Sequence, residues 1–284
     1  MGPKATPAQK TNTVVPYSAI LRTSLAYSRT FNPRNLEYHW YPLWDYALSN
    51  LVRKTPNLIV FPQFPLWFIP SDDDGEVEEA EDGDNLEEMD AVEPHQAPAP
   101  ISPADDDDFI DEGVSLASTT AEPKARGVLV DFAIISVKAG KESQHKERYG
   151  GWRITGVDVG LLVEIKRSAS RSLKGKAFER ALSERLGEAI HDLFDQAVCL
   201  FLENPTKHSV MAMAVAGPYW CNTTITRAAV KNAMERRSTK DPSYSKKKNS
   251  IPSLRWSSTV RLYSALSDQR LQNIRGILAN MGGS

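Results

Sequence analysis

Residues 157–168 read VDVGLLVEIKRS, and six of the nine residues 157–165 are Val, Leu or Ile. That aliphatic density over so short a run is the pattern of a strand buried on both faces. Glu164 and Lys166 interrupt it. Alternation along a strand puts Glu164 and Lys166 on one face and Val163 and Ile165 on the other. Burying such charges costs several kcal/mol unless they are paired or bind a metal, so their presence needs a cause.

Working outward, residues 127–137 (GVLVDFAIISV) form a second dense run, interrupted by Asp131. The polar stretch between the two runs contains Gly150 and Gly151, so they are expected to be neighbouring core strands joined by a loose hairpin. Asp131 can then lie opposite Glu164 at an inter-strand spacing of about 5 Å, close enough for a divalent ion to bridge them. Asp158 shares the parity of Glu164, but six residues of strand would carry it roughly 20 Å away. Strand-end salt bridges among Asp131, Glu164, Lys166 and Arg167 are the plain structural alternative.

The remaining chain divides by composition. Residues 1–36, rich in Pro, Thr, Ser and Asn, read as a mobile tail. Trp40, Leu43, Trp44, Ala47, Leu48 and Leu51 recur at helical steps, predicting a helix over 35–51, and residues 57–69 follow as extended chain broken by Pro62 and Pro65. Together, residues 37–69 form the first helix and strand of a core that resumes over 125–226. Between them, residues 70–124 are acidic and of low complexity, and cannot bury enough apolar area to offset their ordering entropy. Residues 176–202 carry the strongest helical stripe, from Phe178 to Phe201. Residues 208–216 and 219–226 read as strands around a turn at Gly217 and Pro218. A basic loop over 227–257 and a C-terminal helix within 258–284 complete the chain.

The formal net charge of -2 conceals an uneven distribution. Residues 71–123 contain 20 acids and no Lys or Arg, so the other 231 residues carry 34 bases against 16 acids, a net charge of +18. No apolar run is long enough to span a membrane. Cys199 and Cys221 have no metal-ligand or disulfide-framework spacing, which points to a reducing, intracellular setting, nuclear or cytoplasmic. Neither a P-loop nor GxSxG, HExxH or Rossmann spacing occurs.

The order helix, three strands, long helix, strand, with Asp131 on the second strand and Glu164-Ile165-Lys166 on the third, resembles the PD-(D/E)XK nuclease superfamily. The likeness covers roughly residues 35–226 without the acidic insert. Gly217-Pro218-Tyr219-Trp220 adds a likeness to divergent fungal members, whereas Val130 stands where the motif has Pro. The resemblance implies an α/β fold of restriction-endonuclease-like type, a central mixed sheet flanked by helices. It also implies Mg²⁺ or Mn²⁺ held by Asp131, Glu164 and the Ile165 carbonyl, with Lys166 orienting the attacking water or stabilising developing charge. Gln196, at the margin of the long helix's stripe, and Asp45, on the first helix, correspond to positions where branches of the superfamily carry site residues.

The substrate implied is DNA or RNA. Arg167, Arg227, Lys231, Arg236, Arg237, Lys246, Lys247 and Lys248 supply cations for a phosphate backbone, interleaved with Tyr244 and Trp256. The acidic insert is expected to compete for the same basic surface. A catalytically silent nucleic-acid-binding or protein-interaction module on the same fold is the alternative these residues leave open.

Overall fold

The computed structural model describes residues 15–68, 126–141, 152–238 and 254–281. Among them, helix α1 (Tyr17–Ala26) and a 3-10 turn (Glu37–Trp40) lead into α2 (Tyr41–Val52), then strands β1 (Leu58–Phe68), β2 (Arg126–Lys141) and β3 (Trp152–Lys166). The long helix α3 (Gly175–Glu203) connects to β4 (Ser209–Ala216) and β5 (Tyr219–Thr226), followed by α4 (Arg227–Ser238), β6 (Val260–Arg261) and α5 (Ala265–Met281). The strands form one mixed sheet in chain order, β1 to β6. Every neighbouring pair is antiparallel except β3 and β4. A parallel pair needs a long crossover, and α3 provides it. The protein is therefore an α/β fold with a mixed sheet flanked by helices. No helix among the described residues is long and apolar enough to cross a membrane.

Two apolar clusters hold these layers together. On one face, Leu182, Leu186, Ala189, Leu193 and Ala197 of α3 pack on Val130, Ala133, Leu162 and Ala214. On the other, Trp44 and Leu48 of α2 and Leu278 of α5 pack on Ile134, Leu161, Val163 and Ile165. Each fully buried large side chain contributes about 1.5–3 kcal/mol. The buried indole N–H of Trp44 donates to the Gly217 carbonyl at 2.8 Å, so the core tryptophan also fixes the β4–β5 turn. Gly217 has φ +59°, and a Cβ there would approach the Ser168 Cβ to 2.6 Å. The turn needs glycine for its conformation and for its approach to the chain just beyond β3.

β1 is the outermost strand, which is why Pro62 and Pro65 are tolerated within it. Alternation fails once along β1 and β2. Leu58 and Val60, with Phe132 and Ile134, belong to the α2-side cluster, yet Phe64, Leu66, Val128 and Val130, of the same parity, belong to the α3 side. The reversal falls at Gln63, whose φ is +49°, and at Asp131, the residue across from it between the pairs Pro62–Phe132 and Phe64–Val130.

Three segments differ from expectation. Part of the expected N-terminal tail is helix α1, anchored by the fully buried Ala19 and Ala26, residues too small to draw a visible apolar stripe. The expected basic loop begins as helix α4, which buries Val230 and Ala233, and its Lys, Arg, Met and Ala are good helix formers. The last helix starts at Ala265, because Val260 and Arg261 first pair with Trp220 and Tyr219 as β6. The acidic insert over 70–124 and its expected contact with the basic surface lie outside the described residues, as do the glycines of the expected hairpin and Lys246, Lys247 and Lys248.

Candidate active site

The end of β3 gathers side chains from four elements. Glu164 is buried, 6% exposed, and projects toward α3. Its Oε1 accepts from Lys166 Nζ at 2.8 Å and its Oε2 from Gln196 Nε2 at 2.7 Å. Gln196 comes from the C-terminal third of α3 and also donates to the Leu129 carbonyl of β2 at 3.2 Å, so one amide ties both strands to the helix. Asp131 sits at the reversal in β2 and accepts from the Ile165 backbone N–H at 2.6 Å and from the Tyr41 hydroxyl at 2.5 Å. Its carboxylate takes the place of a backbone carbonyl toward β3, an arrangement the break in alternation makes possible.

Asp131, Glu164, Lys166 and Gln196, singled out from sequence, are thus brought together. Ile165 contributes backbone only, since its side chain is fully buried on the α2 side. The N–H and C=O of a strand residue face the same neighbour, so the Ile165 carbonyl lies on Asp131's side. Asp45 is exposed on α2.

Two acids escaped the sequence reading. Asp192 Oδ2 lies 2.6 Å from Lys166 Nζ and stands one helical turn before Gln196 on α3. That i, i+4 spacing puts both on one face, a signal obscured by the apolar stripe beside them. Glu37, in the 3-10 turn before α2, accepts the Arg167 backbone N–H and lies within the field of Lys166 and Asp131. Tyr41, one turn on, had no marker in the sequence beyond its place on the first helix.

The electrostatics are unbalanced. Four carboxyl groups, Glu37, Asp131, Glu164 and Asp192, surround the Lys166 ammonium. Burial raises the Glu164 carboxyl well above its ordinary range, and the Asp131 charge raises it further. Burial likewise raises Asp131, against the hydrogen bonds from Tyr41 and Ile165. Glu37 is pushed up to about 7, mainly by burial. Burial alone would lower Lys166, but Glu164, then Asp192 and Glu37, hold it above the usual lysine value, so it stays protonated. Tyr41 is raised by burial and by Asp131 and remains a phenol.

This donor set fits a hard divalent cation. Each of the Asp131 and Glu164 carboxylates uses two of roughly four acceptor positions, and the excess negative charge is what a cation would offset. No group of three or more His, Cys, Asp or Glu that could hold a metal occurs among the described residues. An ion here would rely on two carboxylates, a backbone carbonyl and water, a coordination that Mg²⁺ accepts.

The expected nucleic-acid contacts divide. Arg167 is exposed beside the site. The Arg227 guanidinium donates to the carbonyls of Lys207, Phe201 and Asn204, closing the end of α3, so it is engaged in the fold. Arg237 is likewise internal, paired with the buried Asp195. Lys231 makes a loose exposed pair with Glu235, at 3.7 Å, and Arg236 is exposed on α4. No family model matches the chain, and neither a curated protein nor a solved structure matches it significantly.

Proposed function

We propose that the protein is a metal-dependent phosphodiesterase, a nuclease acting on DNA or RNA, and a divergent relative of the PD-(D/E)XK superfamily. The observation that carries this reading is the convergence of Asp131, Glu164, Lys166 and Gln196 at one strand end, with acids in excess of bases. The element order also supports it, with a helix before three antiparallel strands and a long helix leading to a parallel fourth.

Asp131, Glu164 and the Ile165 carbonyl are the groups that would hold Mg²⁺ or Mn²⁺. When bound, such an ion supplies a Lewis acid for a phosphoryl oxygen and lowers the pKa of water. Tyr41 and the Ile165 N–H fix the Asp131 carboxylate from two sides, so its orientation is set before substrate arrives. Gln196 orients Glu164 through a neutral donor, which adds no positive charge to the site. The side chain of Lys166 is 19% exposed and that of Glu164 9%, so the ammonium is the part of this pair that reaches toward solvent. Held by Glu164 and Asp192, it is placed to donate to the negative charge that develops on phosphoryl oxygens.

The test is cleavage of labelled DNA and RNA by the purified chain with Mg²⁺ or Mn²⁺. Lys166→Ala is expected to lower the rate by about 10²-fold or more, the usual cost of removing one charge-stabilising donor. If that variant melts near the assay temperature, the isosteric Asp131→Asn carries the test. Wild-type rates in a folded Lys166→Ala protein would sink the proposal.

A further inference from the structure

Beside the candidate site, the loop after α1 and the loop between β3 and α3 enclose an open cavity of about 570 Å³. Five arginines line it, Arg29, Arg34, Arg167, Arg171 and Arg185, against the single acid Glu184. They are not equivalent. Arg171 donates to the Tyr27 and Asn32 carbonyls and so ties the two loops together. Arg185 is committed to Glu188, at 2.7 Å. Arg29, Arg34 and Arg167 are exposed, and their guanidinium groups have no hydrogen-bonding or ionic partner among the described residues.

Like charges gathered round one concavity repel each other and destabilise the compact state, so a surface without a ligand gains nothing from this arrangement. Guanidinium groups match the oxygen geometry of phosphate through paired N–H donors. The position of the cleft adds direction. Arg167 directly follows Lys166, and its backbone N–H is held by Glu37, so one end of the cleft is the rim of the site. The segment from Arg227 to Arg237, in contrast, commits Arg227 and Arg237 to the fold.

We propose that this arginine cleft binds the phosphodiester backbone of a nucleic-acid strand and leads it to Lys166. The inference rests on the nuclease reading for its direction, and its test is independent of cleavage. Binding of a short fluorescein-labelled single-stranded oligonucleotide, in deoxy and ribo forms, is followed by anisotropy on the full chain in EDTA. The triple variant Arg29→Ala, Arg34→Ala, Arg167→Ala is compared with Lys231→Ala, Arg236→Ala, both checked by thermal melting. The triple variant is expected to lose affinity by about tenfold or more at low salt. Its slope of log affinity against log salt should flatten by about two, from three lost cations at roughly 0.7 each. The α4 variant, which removes two exposed cations outside the cleft, should lose clearly less affinity than the triple variant. Wild-type affinity and slope in the triple variant would overturn the proposal. So would competition by inorganic phosphate or polyglutamate as effective as that of unlabelled oligonucleotide, since the cleft would then be a general anion sink. Cleavage that survives Lys166→Ala would defeat the site reading while leaving these binding results standing, and the converse holds equally.

Discussion

β3 carries charge midway along its length and again at its far end, and the two arrangements differ in kind. At the middle, Asp158 meets Lys207, one acid and one base, with the lysine side chain 5% exposed and the aspartate 45%. At its far end, Glu164 and Lys166 belong to a group in which four acids share one ammonium and several carboxyls are raised from their ordinary values. The first is what folding requires of a buried cation, a counter-charge and nothing more. The second gathers four acids around one base, and that imbalance is what the proposed metal site rests on.

The widest separation between the two arrangements should appear on adding metal. Asp131→Asn keeps the shape of the carboxylate and removes its charge, so it is expected to abolish cleavage by at least about 10²-fold and to remove metal-induced stabilisation. In the wild type, an ion at a hundred times its dissociation constant stabilises by about 2.7 kcal/mol, a readily measured rise in melting temperature. Asp158→Asn should keep both the cleavage rate and the metal response. Equal loss in the two variants would mean that charge surplus does not distinguish site from scaffold.

How far this contrast was visible in the sequence depended on whether strand and helix periodicity were regular. Glu164 and Lys166 could be placed on one face because β3 alternates regularly where they lie, and Gln196 because α3 keeps its period. The lateral aim of Asp131 was not visible. It depends on the reversal at Gln63 and Asp131, and a left-handed glutamine has no sequence marker. Glu37 carried no marker of its own. The resemblance pointed instead to Asp45 on the first helix, which is exposed, while Glu37 in the 3-10 turn before α2 lies in the field of Lys166 and Asp131. In the basic segment, composition counts cations without showing that Arg227 and Arg237 are engaged with carbonyls and with Asp195.

Glu37 gives a subtler measure of the surplus. Its carboxyl rises from an ordinary 4.5 to about 7, burial being the main cause. The folded state therefore binds its proton more tightly than the unfolded state. The stability this contributes is fully present below about 4.5 and is lost as pH rises through about 7. Glu37→Gln should remove that dependence, leaving the variant more stable than wild type at pH 8, by at most about 3 kcal/mol, with little difference at pH 4. Urea denaturation at the two pH values reads this directly. A variant less stable than wild type at pH 8 would show that the Glu37 charge is compensated in the fold and is no part of a surplus.

The smallest effect is expected at the balanced pair. Asp158→Ala leaves the buried Lys207 ammonium without its counter-charge, a loss of about 1–2 kcal/mol in urea denaturation. This is less than the 3–5 kcal/mol typical of a fully buried pair, because Asp158 is already half in water and its attraction is partly screened. Adding Lys207→Met should restore most of that stability, since a buried apolar chain of similar length needs no partner. Cleavage should be unchanged throughout. A stability loss rescued by Lys207→Met without recovery of cleavage would show instead that Asp158 serves the site through β3, and the two groups of charges would have to be treated as one electrostatic unit.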